Sequence, residues 1–159
     1  MPVQDDCYNT ATAFNLLAKF PGGVELTIRN DSRNGVLVEG DKGRIFVSRG
    51  DLTGAPVDAL KDNPLPEDAI KKAYKGYPLI SDGRKAHWAN FLYCVREQKE
   101  PISDVHSHMR ALNVCHLAGI TARLGREIKW DEATQSIAGD EQANDMLSRE
   151  YRKGYEIDM

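Results

Sequence analysis

The hydrophobic period of the sequence changes near Gly50, and this change limits the folds that the chain can adopt. Before Gly50, apolar residues alternate with polar ones, which is the period of a half-buried strand. After Gly50, apolar residues recur at intervals of three and four, which is the period of a helix packed on one side. Strands joined by short turns and then helices predict an α+β fold: an open, mostly antiparallel sheet with helices packed on one face.

Turn residues divide the strand-rich part into short segments. Pro21-Gly22-Gly23 separates two alternating runs and predicts a hairpin, because short glycine-rich turns join antiparallel strands. Asp41-Lys42-Gly43 predicts a second tight turn. The four expected strands lie in Thr12–Phe20, Val24–Ile28, Val36–Glu39 and Arg44–Ser48.

One face of these strands is expected to be apolar and the other mixed. Leu17, Leu37 and Phe46 fall out of phase with their neighbours, so they could place apolar side chains on the second face. An exposed apolar face usually marks a contact with another domain or subunit. We therefore expect a homo-oligomer formed through the open sheet face.

The helix-rich part follows an irregular crossover. Trp88, Phe91, Leu92 and Val95 recur at helical spacing, and Ser103 is expected to cap the next helix. The expected helices begin at Leu65-Pro66-Glu67-Asp68 and end near Gly76, then cover Lys85–Gln98, the stretch from Ser103 to Leu124, and Asp140–Arg149; a further strand is expected in Glu127–Trp130.

Composition excludes several classes of protein. Acidic residues number 24 and basic residues 21, a balance that argues against a nucleic-acid partner. No apolar run approaches the roughly 20 residues that cross a bilayer. The polar, acidic start resembles no secretory signal, so we expect a cytoplasmic protein with no membrane partner. Cys7, Cys94 and Cys115 form no CxxC pair, so we expect reduced thiols, two of them buried.

The residues that could carry chemistry do not form a recognised catalytic or metal motif. His106 and His108 open a helix, where residues two apart do not face each other. His116 is expected to be a histidine at the edge of the core. Cys115 is adjacent to His116, so the two side chains diverge and cannot form a nucleophile and base. We therefore predict no catalytic and no metal-binding residue; an independent metal-dependent or hydrolytic enzyme is the weakest alternative.

The glycine-rich stretch Gly40-Asp41-Lys42-Gly43 does not predict a dinucleotide site. Such a site needs glycines between a strand and a helix whose N-terminus faces the pyrophosphate. Here the glycines lie between two expected strands and serve a turn, so we predict no cofactor-binding residue. His87, which follows a loop and opens a helix, is the best-placed polar residue for contacting a substrate; the alternative is a structural role.

Several phrases of the sequence, in order along the chain, resemble the C-terminal domain of Gfo/Idh/MocA-type oxidoreductases. No single phrase is diagnostic, but together they are specific. They include Gly35–Gly50, His87-Trp88-Ala89-Asn90-Phe91, Glu100-Pro101-Ile102-Ser103-Asp104-Val105, Cys115-His116-Leu117, Arg123-Leu124-Gly125-Arg126, Trp130-Asp131 and Gly139-Asp140-Glu141.

The resemblance implies a domain like the C-terminal domain of glyceraldehyde-3-phosphate dehydrogenase, with an open sheet that is incomplete if its first strand and helix are missing. It implies NAD or NADP as the cofactor of a full-length relative, and a sugar, polyol or related compound as the substrate. The family's glycine fingerprint and its lysine between glutamate and proline are not found in residues 1–159, so no catalytic residue carries over.

Residues 1–159 are therefore expected to form a single C-terminal domain, with substrate-side and oligomerisation roles and without the N-terminal Rossmann domain. Alone, such a domain is expected to be inactive. A separate Rossmann-domain chain could then be its partner. The alternative is a standalone, non-enzymatic module that self-associates or docks through its sheet.

Overall fold

A computed structural model describes residues 10–73 and 83–156. The chain divides into two units, and each is treated by itself. Unit 1 contains the chain up to Ser32 and from His108 onwards, and unit 2 contains Arg33–Ser107. The described strands are antiparallel and pair only with strands near in sequence, which confirms the predicted α+β class.

A two-stranded hairpin begins unit 1. Strand β1 (Asn15–Lys19) pairs with strand β2 (Glu25–Arg29) in the register Leu16↔Ile28 and Ala18↔Leu26. Side chains alternate across a strand, so these four share one apolar face, while Asn15, Lys19, Glu25 and Arg29 share the other. The side chain of Asn30, after β2, is bonded to the segment before β1: it accepts a hydrogen bond from the backbone N–H of Phe14 and donates one to the carbonyl of Thr12.

The main core of unit 1 lies where helix α4 (Val105–Leu124) meets the segment after it. Strands β6 (Trp130–Asp131) and β7 (Ser136–Ile137) form a short hairpin, and helix α5 (Glu141–Asn144) continues into a 3₁₀ turn (Asp145–Leu147). The core consists of Ile120, Ile137 and Ala143, with Leu117, Leu124, Ile128, Trp130 and Met146 packed around them.

Unit 2 begins with a three-stranded sheet. Strand β3 (Val36–Gly40) pairs with β4 (Gly43–Val47), and β4 pairs with β5 (Leu52–Thr53). Helix α1 (Ala55–Asp58), a 3₁₀ turn (Ala59–Lys61) and helix α2 (Ala69–Ala73) follow.

Helix α3 (Gly83–Glu97) is the long helix of unit 2, and it packs against the loop that follows it. Ala86, Asn90 and Cys94 are its buried residues, spaced by four along one side of the helix. The Asn90 Oδ1 accepts from the backbone N–H of Ile102 at 3.1 Å, and the Cys94 thiol lies 3.6 Å from the Glu100 carbonyl. The side chains of Asn90 and Cys94 therefore help to hold the loop against α3.

The sequence placed most elements correctly, with differences near the C-terminus. The four predicted strands and the two long helices are confirmed. The strand predicted in Glu127–Trp130 lies instead at Trp130–Asp131, and the last helix ends at Asn144 because the chain tightens into a 3₁₀ turn. The predicted end of the short helix near Gly76 lies outside the described residues.

Candidate functional site

The cross-strand register of β3, β4 and β5 places five aliphatic side chains on one face of the sheet. Val36 lies opposite Val47, Val38 opposite Ile45, and Val47 opposite Leu52. We call these five residues the aliphatic face. Val36, Val38 and Leu52 are each 56–57% exposed, and Val47 is 40% exposed. Four valine and leucine side chains thus meet solvent together, rather than singly as is normal on a protein surface.

The opposite face of the same sheet is mixed in character. Leu37 lies opposite Phe46, and the guanidinium of Arg33 lies 4.1 Å from the centre of the Phe46 ring. Glu39 lies opposite Arg44, and the two side chains form an ion pair at 2.9 Å. This face covers part of its apolar surface with its own charged groups.

The residues singled out by phase do not mark the apolar surface. Leu37 and Phe46 do share a face, as their phase indicated, but it is the mixed one. Leu17 is 53% exposed on the polar face of the β1–β2 hairpin, in another unit. Val36, Val38, Val47 and Leu52, which share the other face, form the larger exposed apolar surface.

The glycine-rich stretch lies in a hairpin, as predicted, with Gly40 paired to Gly43. A cavity of about 450 Å³ adjoins it, lined by Glu39, Gly40, Gly43, Arg44, Gly54 and Ala55. Gly54 is followed by a helix, but α1 has only four residues. A Cβ on Gly54 would lie 2.2 Å from the Arg44 carbonyl oxygen, so β4 already occupies the space that a pyrophosphate would need beside the glycine. These glycines therefore do not form a dinucleotide cradle.

Helix α3 is apolar on two opposite sides. Its packed side consists of Ala86, Asn90 and Cys94. At 3.6 residues per turn, a position two residues further along lies on the opposite side, and there Trp88 is 66% and Leu92 59% exposed. Phe91 and Val95, at 47% and 54%, complete this exposed stripe.

His87 is exposed at the start of α3, next to Trp88 in sequence. Its exposure leaves the imidazole available to a ligand, and it argues against a role in packing the interior. Contact between His87 and a substrate remains a prediction.

The start of α4 is capped by Asp104, one residue later than the cap predicted at Ser103. The Asp104 carboxylate accepts from the backbone N–H of Ser107 at 2.8 Å and from the Ser107 hydroxyl at 2.7 Å. These two bonds, the backbone one first, lower the pKa of Asp104 from its ordinary 3.8 to about 2. Aspartate and serine are both good N-caps, and the sequence could not decide between neighbours.

The histidines and cysteines are placed as separate surface and core groups. His116 is exposed, so its predicted position at the core edge is wrong. Cys94 is buried and Cys115 exposed, both as free thiols, and Cys7 lies outside the described residues. Among residues 10–73 and 83–156, no group of histidine, cysteine, aspartate or glutamate side chains could hold a metal ion. The described helices include none that is long and apolar enough to cross a bilayer.

A protein-family model described as the C-terminal alpha/beta domain of the Gfo/Idh/MocA oxidoreductase family matches residues 15–157. The chain belongs to this family. The match begins at β1, contains all of unit 2 and contains most of unit 1. Comparisons with curated proteins and with solved structures gave no match.

The family assignment explains why the glycines do not form a dinucleotide site. The matched family model is that of a C-terminal domain. NAD or NADP is implied for the family, and the described residues of this chain offer no fitting cradle for it. The part of the oxidoreductase represented here is thus not the nucleotide-binding part.

Proposed function

We propose that this domain provides the substrate side and the self-association surface of an NAD(P)-dependent oxidoreductase that acts on a sugar, polyol or related compound. Hydride transfer depends on a cofactor oriented beside the substrate, and holding the two together can supply roughly 7–11 kcal/mol of the barrier. Since these glycines do not form a dinucleotide cradle and the matched family model is that of a C-terminal domain, the cofactor would be held by another domain, whether in the same chain or in a separate one. The domain alone is then inactive.

The aliphatic face carries the self-association part of the proposal. Burying a valine or leucine side chain completely contributes about 1.5–3 kcal/mol, and the exposed members are about half covered already. Four such side chains would contribute on the order of 4 kcal/mol per protomer. A twofold interface uses the same face twice, which gives about 8 kcal/mol in total.

Association itself costs at least about 4 kcal/mol and up to 15 or more. The gain of about 8 kcal/mol exceeds the lower end of this cost by about 4 kcal/mol, which corresponds to a dissociation constant of roughly 1 mM. We therefore expect a dimer that dissociates on dilution and that one substitution in the face can abolish.

The test uses two neighbouring residues of β3 that point to opposite faces. Val38, 57% exposed, lies on the aliphatic face, and Leu37, 49% exposed, lies on the mixed face. Val38→Lys would replace apolar contact with a desolvated ammonium in both protomers. We expect it to weaken association by about 3 kcal/mol, roughly a hundredfold in the dissociation constant. Leu37→Lys has the same chemistry and a similar exposure and should change it little.

Light scattering over a wide range of protein concentration measures the effect. A wild-type chain that stays monomeric at the highest concentration would contradict self-association. Equal weakening by Val38→Lys and Leu37→Lys would show that association does not use the aliphatic face.

The substrate side of the proposal rests on His87. Its imidazole is exposed and can both donate and accept hydrogen bonds, as recognition of a hydroxylated substrate requires. In a complete enzyme, His87→Ala should raise KM for the substrate more than it changes the affinity for the cofactor.

A further inference from the structure

The loop between β2 and β3 contains an asparagine followed by a glycine, Asn34-Gly35, and both residues are exposed. The pair precedes β3, outside the regular hydrogen-bonding ladder of the sheet. An asparagine side chain and the next backbone nitrogen are close enough to react when the chain can bring them together. Glycine favours this approach because it has no Cβ to obstruct it.

We infer that Asn34 is a site of spontaneous covalent modification. The backbone nitrogen of Gly35 loses its proton and attacks the side-chain carbonyl carbon of Asn34. A new carbon–nitrogen bond forms, the bond to the side-chain amide nitrogen breaks, and ammonia leaves with that proton. Water then opens the succinimide at one of its two carbonyl carbons, which yields aspartate or isoaspartate.

Packing against β4 requires a glycine at position 35. A Cβ on Gly35 would lie 2.4 Å from the Phe46 ring and 2.6 Å from the Val47 carbonyl oxygen, and the φ of Gly35 is 156°. Any larger residue would have to displace the strand β4. Position 35 therefore requires a glycine, and the Asn34 that precedes it is exposed.

The surroundings of Asn34 give the reaction a structural consequence. Arg33, the preceding residue, stacks on Phe46 and forms a 2.7 Å ion pair with Asp51. Val36, two residues further on, is the first member of the aliphatic face. Either product places a new negative charge between these groups, and isoaspartate also lengthens the backbone by one carbon just before β3.

The experiment incubates the folded wild-type chain in mildly alkaline buffer and follows it by anion-exchange chromatography and peptide mapping. Each event converts a neutral amide into a carboxylate, so the modified chain elutes later. We expect modification at Asn34 to be about tenfold or more faster than at the other asparagines, none of which precedes a glycine. Asn34→Gln should remove the late-eluting form, because the longer side chain would have to close a larger ring.

Asn63→Gln is the matched control, since Asn63 is also exposed but precedes a proline, and it should leave the late-eluting form unchanged. A parallel incubation in denaturant gives the rate of modification at Asn34 in the unfolded chain. Modification at Asn34 in denaturant but not in the folded chain would overturn the inference, and so would modification at Asn34 no faster than elsewhere. Neither result depends on self-association or on oxidoreductase activity.

Discussion

Asn144, at the end of α5, holds the β6–β7 hairpin against the helix. Its Oδ1 accepts from the backbone N–H of Ile137 at 2.8 Å, and its Nδ2 donates to the carbonyls of Ile137 and Asp140 at 2.7 and 2.8 Å. Ile137 is only 1% exposed, so water cannot replace these bonds easily. We predict that Asn144→Ala destabilises unit 1 strongly.

The magnitude follows from the groups that lose their partners. A buried donor or acceptor left unsatisfied costs about 1–3 kcal/mol, and Asn144→Ala leaves the N–H of Ile137 without its partner. The Ile137 carbonyl keeps only a 3.5 Å bond from the N–H of Asp140. Together these losses predict about 3 kcal/mol, roughly a hundredfold in the unfolding equilibrium.

Trp130 provides the assay, because it packs against the core that contains Ile137. The other tryptophan, Trp88, lies in unit 2, so a Trp88→Phe background confines the fluorescence signal to unit 1. Urea unfolding then compares Asn144→Ala with the control Asn63→Ala, which removes an exposed amide of unit 2. A difference below about 0.5 kcal/mol between Asn144→Ala and its parent would refute this account of the hairpin.

Two further predictions concern the cap of α4 and a glycine of the sheet. The folded pKa of Asp104, about 2, lies below its ordinary 3.8, so its contribution to stability is complete above pH 3.8 and is lost as the pH falls towards 2. Asp104→Asn should remove this part of the acid sensitivity in unfolding curves measured between pH 5 and 2. An unchanged dependence of stability on pH would contradict the prediction. Gly54→Ala should cost about 3 kcal/mol or more in thermal unfolding, since φ is 137° and a Cβ would meet the Arg44 carbonyl oxygen, whereas Gly50→Ala, with open space around it, should cost less than about 0.5; equal effects would exclude the contact as the reason.

The sequence predicted elements well where the local signal was strong. Alternation and turn glycines determined β1–β4, and helical spacing determined α3 and α4. The pairing of β6 with β7 was missed because each strand has two residues, which is too short for a period to be visible. The hairpin depends instead on a hydrogen bond from Ile137 to the side chain of Asn144, seven residues further along, and no local sequence pattern predicts such a bond.

The candidate site was harder to predict than the fold. Phase in a strand assigns residues to faces, as it did for Leu37 and Phe46, but it does not say which face other elements cover. Which face of a sheet is covered depends on tertiary contacts, such as that of Arg33, in the preceding loop, with the Phe46 ring. In the same way, α3 shows apolar residues at helical spacing, yet Trp88 and Leu92 lie opposite the side that packs.

Glycine is the residue type whose role changes most between sequence and structure in this chain. A cluster of glycines near a strand can cradle a phosphate, or it can let two backbones approach each other closely. Gly54 and Gly35 decide between these roles, because a Cβ on either would lie within 2.4 Å of an atom of β4. The space that a side chain would occupy at these two glycines is therefore taken by atoms of β4. This supports the assignment of redox chemistry to another domain, and it explains why position 35, directly after Asn34, requires a glycine.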